Sequence, residues 1–297
     1  MMINYENLLK YYFKNNWPGL FNLREKYKRK NYQRKVKKII LEHLSQFRAA
    51  GSYPLFRTIE IETMNRCNST CSFCPVNKNA DTRAFKKMDE QLFIAIVKQL
   101  KRCNYSGRVG LYSNNEPFLD ERISDFAKIA KTNLPQCTIF LYTNGTLLTP
   151  EKFVTIMQHL DQMYIDNYND RLKLIRPVKE IYDFSKNKKL YNDRVRIRLR
   201  RLNDVLSTRG GQAPNRKEEC NTALDYGCLR PFYQMVVRPD GKVSLCCNDA
   251  LGKMTLGDLA ASSVEEVWQN EMYVTLREKL VAGRTATPLC RACDSML

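Results

Sequence analysis

The sequence predicts an α/β chain, a partial (β/α) TIM-like barrel of five or six parallel strands carrying a small β-hairpin-plus-helix unit at its C-terminal end. Two observations predict it. From residue 57, short β-rich runs alternate with runs of helical period, the pattern of βα units around a parallel sheet. From about Cys220 the alternation gives way to two short β-runs around Pro239, Asp240 and Gly241, then a helical run. A chain of 297 residues suits one such barrel with an appendage.

In order, residues 57 to 64 read as the first strand. A helix over 89 to 102 follows, with Leu92, Phe93, Ile96, Val97 and Leu100 on one side. Strands over 109 to 113, 138 to 143, 163 to 166 and 195 to 202 then alternate with helices over 121 to 131, 150 to 160 and 174 to 185. Thr149 before Pro150 is a cap followed by proline at the first helical position. Residues 235 to 238 and 242 to 246 read as a hairpin turning on Gly241. Ser262 and Ser263, three residues before Glu265 and Glu266, start a helix whose apolar side is Val264, Val267, Trp268 and Leu276. The expected division is a basic helical arm (1–56), the barrel (57–219) and the C-terminal unit (220–297).

The formal charge is +18, and half of that excess lies in the first 56 residues, where twelve Lys or Arg face Glu6, Glu25 and Glu42. The segment from Arg24 to Lys38 is basic enough to attract an acidic partner, nucleic acid or a membrane surface. The plainer expectation is a solvated helix whose apolar side, Val36, Ile40, Leu44 and Phe47, docks on the barrel. No run of eighteen apolar residues and no secretory-type start is present, so the expectation is a cytoplasmic protein with no membrane span. Eleven cysteines in such a chain point to metal binding or catalysis before disulfides.

Cys67, Cys71 and Cys74 stand in one short run. Three thiolates so spaced can grip three irons of a cubane 4Fe–4S cluster and leave the fourth iron without a protein ligand. A zinc knuckle is the rival, but no fourth cysteine and no histidine stands nearby. The Cys-x-x-x-Cys-x-aromatic-Cys pattern, with Phe73 at the aromatic place, resembles the signature of the radical S-adenosylmethionine enzymes. The resemblance implies that S-adenosylmethionine chelates the open iron through its amino and carboxylate groups and is split by an electron from the cluster. The resulting 5′-deoxyadenosyl radical takes a hydrogen atom from substrate, and an electron donor such as flavodoxin or ferredoxin is implied.

Cys228, Cys246, Cys290 and Cys293 offer four soft ligands for a tetrahedral all-sulfur site, as in a zinc ribbon or an iron–sulfur centre. Their spacing, Cys-x12-Gly-x4-Cys and a terminal Cys-x2-Cys, is similar to the twitch domain, a shortened SPASM domain of that family. It implies an auxiliary cluster, making two 4Fe–4S clusters with S-adenosylmethionine as the third cofactor. Cys247 competes with Cys246 as ligand, the Gly-x4-Cys count favouring Cys246. Cys103, Cys137 and Cys220 are left over.

Ser113-Asn114-Asn115-Glu116-Pro117 resembles the family's Gly-Gly-Glu segment with asparagines for glycines, which implies that Asn114, Asn115 and Glu116 bind the cofactor's amino group. An ordinary turn is the alternative. Asn144, in Thr143-Asn144-Gly145, lies in a loop common to the family, and the resemblance places it with Phe73 among the cofactor-binding residues. Asp166, Asn167 and Tyr168 reach a substrate hydroxyl or cap the next helix. Arg196, Arg198 and Arg200 alternate with Val195, Ile197 and Leu199, which puts three guanidiniums on one side of a strand. If that side is interior, Arg198 and Arg200 hold the cofactor carboxylate and an anionic substrate group; if it is an edge, they lie in water. Ser207 to Gly211 is similar to an Asn-Arg-x-Gly element of the SPASM enzymes, with Thr208 for asparagine.

The expected function is hydrogen abstraction from a small sugar-like, cyclitol or anionic substrate, with oxidation of an alcohol and the auxiliary cluster as electron acceptor. The resemblance is to aminocyclitol-oxidising dehydrogenases of the twitch type. One alternative is an epimerase in which Cys247 returns a hydrogen atom. A second is a peptide maturase whose arm captures an acidic leader. The non-enzyme alternative is a zinc protein binding nucleic acid through its arm.

Overall fold

A continuous sheet of nine strands forms the frame of this computed structural model, which describes residues 2–216 and 223–296. Cys220 and the expected boundary at 219 lie outside the described residues. The chain runs β1 (Met2–Asn4), α1 (Glu6–Asn16), α2 (Pro18–Ala50), β2 (Thr58–Ile61), α3 (Glu90–Arg102), β3 (Arg108–Gly110) and α4 (Ile123–Asn133). Then come β4 (Thr138–Thr143), α5 (Pro150–Met157), β5 (Gln162–Tyr168), α6 (Arg176–Ser185) and β6 (Val195–Arg200). The C-terminal part holds α7 (Arg230–Tyr233), β7 (Gln234–Val237), β8 (Lys242–Ser244), β9 (Thr255–Asp258), α8 (Val264–Gln269), α9 (Glu271–Lys279) and α10 (Pro288–Arg291).

Strand order is β1-β6-β5-β4-β3-β2-β7-β8-β9, an open sheet. The five expected βα strands are all present. The sheet also gains a parallel strand at each side of them: β1 beside β6, and β7 beside β2. The expected hairpin is therefore part of the main sheet, with β8 and β9 antiparallel beyond it. Residues as few as Met2–Asn4, or a strand as short as Thr255–Asp258, carry too little pattern to stand out by period.

Local chemistry places most helix starts. Asp89 accepts from the Gln91 and Leu92 amides, and Thr149 accepts from the Lys152 amide ahead of Pro150. Ser263 and Glu266 form a reciprocal capping box. The last long helix is broken where Asn270 caps a second segment, its side chain accepting from the Tyr273 amide.

Period two then divides the sheet into two faces. Ile59, Ile61, Val109, Ile139, Leu141, Met163, Ile165, Val195 and Ile197 join Phe93, Ile96, Phe126, Phe153 and Ile181 of the covering helices in the main core. Each such side chain contributes about 1.5 to 3 kcal/mol by burial. Glu60, Tyr112, Phe140, Tyr142, Tyr164, Asp166 and Arg198 alternate with the core set and form a polar and aromatic opposite face, in which Tyr142 stacks on Tyr164 at 4.4 Å.

The N-terminal segment is more than an arm. Asn7 Nδ2 donates to the Leu199 carbonyl at 2.9 Å and the Tyr11 hydroxyl donates to the Asp204 carboxylate, which fastens α1 to the β6 edge. Farther along α2, Val36, Ile40 and Leu44 bury against Tyr53 and Phe232, with Leu229 and Val274 beside them. The expected apolar docking occurs, but the surface that receives it belongs to α7 and α9 near the C-terminus.

Candidate active site

The loop after β2 carries the first three cysteines, and its backbone is tied into a compact turn. Asn77 Nδ2 donates to the Cys71 and Cys74 carbonyls at 3.1 and 2.7 Å, and the Cys74 amide donates to the Cys71 carbonyl at 3.1 Å. The Ser72 amide donates to the Leu202 carbonyl at 2.9 Å, which anchors the loop to the chain after β6. Burial pushes the Cys67 thiol up to about 12 and the Cys71 thiol up to about 11, with each neighbouring thiol adding to the shift. Dipoles that favour sulfur anions are already in place: the Ser69 amide lies 3.4 Å from Cys67 Sγ and the Ser69 hydroxyl 3.0 Å from Cys71 Sγ. Phe73 is buried, its ring 6.0 Å from that of Tyr168.

Two neighbouring strand ends meet this loop. After β4, Asn144 donates through Nδ2 to Asn68 Oδ1 at 2.8 Å and lies 4.0 Å from Cys67 Sγ. After β3, Asn114 is buried, its carbonyl accepting from Arg83 at 2.9 Å and its side chain engaged by Arg209. Asn115 Oδ1 accepts from the Ser113 amide at 3.0 Å, while its Nδ2 is buried with no hydrogen-bond partner among the described residues, a donor available to a bound group.

Glu116, expected among the cofactor-binding residues, is held by its neighbours in the loops. It is 1% exposed, and its oxygens accept from Thr143 Oγ1 at 2.7 Å, the Asn144 amide at 2.7 Å and the Phe118 amide at 3.1 Å. Burial pushes it up to about 7 against those three donors. Its carboxyl thus locks the loop that presents Asn144.

Arg198 and Arg200 lie on the polar face, half-buried, and both engage Asp166. Arg198 is bidentate at 2.6 and 2.8 Å and Arg200 stands at 3.1 Å, with Arg198 also 4.7 Å above the Tyr142 ring. Arg196, near the N-terminal end of the same strand, is exposed. Tyr168 belongs to this face, and Asn167 is turned away to hold the following loop through the Lys173 carbonyl and the Ile175 amide.

A second polar group on this face was not singled out from the sequence. Glu60 accepts from the Tyr112 and Ser113 hydroxyls, both at 3.1 Å, and from Gln234 Nε2 at 2.6 Å. Burial raises its pKa, and the nearby Arg230 opposes that rise. The signal was available: in Thr58-Ile59-Glu60-Ile61-Glu62, period two sets Glu60 and Glu62 together on the face opposite the isoleucines.

Cys228, Cys246, Cys290 and Cys293 line one cavity with Pro231, Leu245 and Leu289. Cys247 is not among the lining residues; its thiol lies within electrostatic reach of Glu60, and Tyr112 feels it in turn. The four thiols surround one space. Among the described residues no group of three or more His, Cys, Asp or Glu side chains is gathered tightly enough to hold a single metal ion. Two buried guanidiniums border the cavity region. Arg284 donates from Nη1 to Cys293 Sγ at 3.4 Å, and Arg230 feels Cys247, Cys246 and Cys228. The Nε of each is buried without a partner, and neither forms a carboxylate ion pair among the described residues. Arg284 has no carboxylate among its charged neighbours and Arg230 feels Glu60 only after three thiols, so these cations call for a further source of negative charge, and a thiolate-ligated iron–sulfur cluster supplies it. Asn248 Nδ2, 3.6 Å from Cys293 Sγ, adds a donor of the same kind. No sequence pattern pointed to Arg230, Arg284 or Asn248.

Such a chain, with a strand-end cysteine triad and a second four-cysteine cavity, is an iron–sulfur enzyme of the type that uses S-adenosylmethionine. It belongs to the radical SAM superfamily: the family model of that superfamily matches residues 61–204, and the SPASM model, an iron–sulfur cluster-binding domain, matches residues 228–294. Among curated proteins, the S-adenosyl-L-methionine-dependent 2-deoxy-scyllo-inosamine dehydrogenase of Niallia circulans is 28% identical over 249 residues, covering 82% of this chain and 94% of the relative. The crystal structure of BtrN in complex with AdoMet and 2-DOIA superposes with a TM-score of 0.70 at 25% identity, over 82% of this chain and 94% of that one. An open conformation of BtrN gives 0.60 at 21% identity over the same shares, a likeness of fold.

Proposed function

We propose that the protein oxidises a secondary alcohol of a small sugar-like substrate, an aminocyclitol or a close analogue, to the ketone. The observation that carries this reading is the hydrogen-bonded line from Glu60 through Gln234 to Arg230, joining the polar face of the sheet to the four-cysteine cavity. The similarity to a dehydrogenase of 2-deoxy-scyllo-inosamine supports it.

In this reading Cys67, Cys71 and Cys74 hold the cluster that binds S-adenosylmethionine, and Cys228, Cys246, Cys290 and Cys293 hold the auxiliary one. When bound, these groups supply a 5′-deoxyadenosyl radical for the carbon-bound hydrogen atom and an acceptor for the electron left behind. The hydroxyl proton must then go to the protein. Glu60, its basicity raised by burial and its position fixed by Tyr112, Ser113 and Gln234, is suited to receive it. Asn115 and Asn144 present amides to the cofactor, with Glu116 positioning the Asn144 loop. Arg198 and Arg200, poised by Asp166, order the polar wall against substrate hydroxyls. A flavodoxin or ferredoxin supplies the reducing electron, in the cytoplasm where thiols stay reduced.

One observation favours a second reading. Cys247 stands beside Glu60 and Tyr112, outside the four-cysteine cavity, where its thiol would return a hydrogen atom in an epimerase.

The test uses anaerobically reconstituted protein with dithionite, S-adenosylmethionine and a panel of aminocyclitols. Expected are ketone and 5′-deoxyadenosine in equal amounts. Cys293→Ala should keep 5′-deoxyadenosine while losing ketone, and Cys67→Ala should lose both. Formation of 5′-deoxyadenosine without ketone from any alcohol in the intact enzyme would sink the dehydrogenase reading. Inverted alcohol lost on Cys247→Ala would establish the epimerase.

A further inference from the structure

The family models begin at residue 61 and leave the N-terminal helices without a role. Their two ends are fixed: α1 is fastened to the β6 edge through Asn7 and Tyr11, and α2 enters the core only from Val36 onward. Between these anchors lies an elbow whose surface is unusual in two respects at once.

First, it exposes large apolar side chains. Leu9, Tyr12, Phe13 and Trp17 are solvent-facing around the elbow, the Phe13 and Trp17 rings 5.4 Å apart. Leu20, Leu23 and Tyr27 follow at 66%, 65% and 67% exposure, spaced three and four residues apart on one side of α2. Second, Lys10, Lys14, Arg24, Lys26, Lys28, Arg29 and Lys30 are all exposed in the same stretch, against Glu25, which pairs with Lys28.

We propose that this elbow, residues 9 to 30, docks the enzyme on an anionic membrane surface. Charge complementarity selects phospholipid headgroups, and the apolar residues select the interface over any purely electrostatic partner. Trp, Tyr, Phe and Leu enter the boundary between headgroups and acyl chains, while flanking Lys and Arg meet the phosphates. A nucleic acid would use the cations and leave Leu20, Leu23 and Tyr27 in water. The helices lie on the surface without crossing it: among the described residues no helix is long and apolar enough to span. Since α1 also borders β6 and the segment leading to Leu202, which holds Ser72 of the cysteine loop, docking sets the cysteine loop close to the lipid surface.

The experiment is sedimentation of the reconstituted full chain with phosphatidylcholine vesicles, with and without phosphatidylglycerol. Binding is expected only with phosphatidylglycerol, falling as salt rises. Emission provides an internal readout, because the chain has two tryptophans and Trp268 is fully buried. A blue shift on vesicle addition therefore reports Trp17. The double variant Lys26→Gln, Lys28→Gln should lower partitioning on the order of tenfold. The variant Leu20→Ser, Leu23→Ser, Tyr27→Ser should abolish the vesicle binding at unchanged charge, with 5′-deoxyadenosine formation retained as proof of folding. Three results overturn the proposal: no binding to phosphatidylglycerol vesicles, binding that the triple variant retains, or binding to polyglutamate or RNA that exceeds vesicle binding and leaves the Trp17 emission unshifted.

Discussion

Arg284 Nη1 lies 3.4 Å from Cys293 Sγ and 3.1 Å from the Cys293 carbonyl, deep in the protein, where the guanidinium is 1% exposed. A cation so placed stabilises negative charge on the sulfurs, and the thiols reciprocate by raising its own pKa. Arg284→Gln keeps a donor near Cys293 and removes the charge. The auxiliary cluster should then become harder to reduce, with a lower midpoint potential in an anaerobic titration followed by electron paramagnetic resonance. Ketone formation should slow more than S-adenosylmethionine cleavage. An unmoved potential would show that Arg284 only packs.

Glu116 predicts a pH dependence. Its pKa in the fold is about 7 against 4.5 for the ordinary group, because burial outweighs its three donors. The folded protein therefore favours the neutral carboxyl. That contribution is complete below about pH 4.5 and is lost as pH rises through about 7, amounting to about 3 kcal/mol. Glu60, also raised by burial, acts in the same direction. The Tm of cofactor-free protein should fall from about pH 5 to about pH 8. Glu116→Gln should flatten that slope and lower Tm throughout, because its amide would face the Asn144 N–H.

Gly145 occupies the left-handed region at φ +75°, and a Cβ there would stand 2.5 Å from Val178 Cγ2 and 2.9 Å from Ile165 Cγ2. Gly145→Ala should cost roughly 2 to 5 kcal/mol, conformational strain and overpacking together. Gly51, at φ +70° with open space around it, makes the control: Gly51→Ala should cost about 1 to 2 kcal/mol. Equal denaturation midpoints for the two variants would contradict the packing described after β4.

Much of this molecule was legible as pattern. Thr149 and Ser263 cap where a hydroxyl before an acidic or proline-led turn should cap, and strand β4 has the expected bounds because all six of its residues are apolar, aromatic or β-branched. The cysteine loops were legible because ligand spacing is a local property of the chain. The partners of Glu116 were not legible: its neighbours in sequence identify a loop, but the direction of its carboxyl depends on Thr143 and Asn144, contributed by the next strand.

By itself the sequence determined that two sets of cysteines have the spacing of iron–sulfur ligands, how the strands and helices alternate, and where the charge accumulates, because each follows from composition and short-range spacing. Tertiary structure alone decided that β1 and β7 flank the five βα strands, that Cys246 and not Cys247 lines the cavity with the other three cysteines, and that Arg230 and Arg284 stand among thiols without forming carboxylate ion pairs among the described residues. These depend on side chains brought together across long stretches of chain, where the burial of charge and the pairing of strand edges are settled by what lies alongside in space.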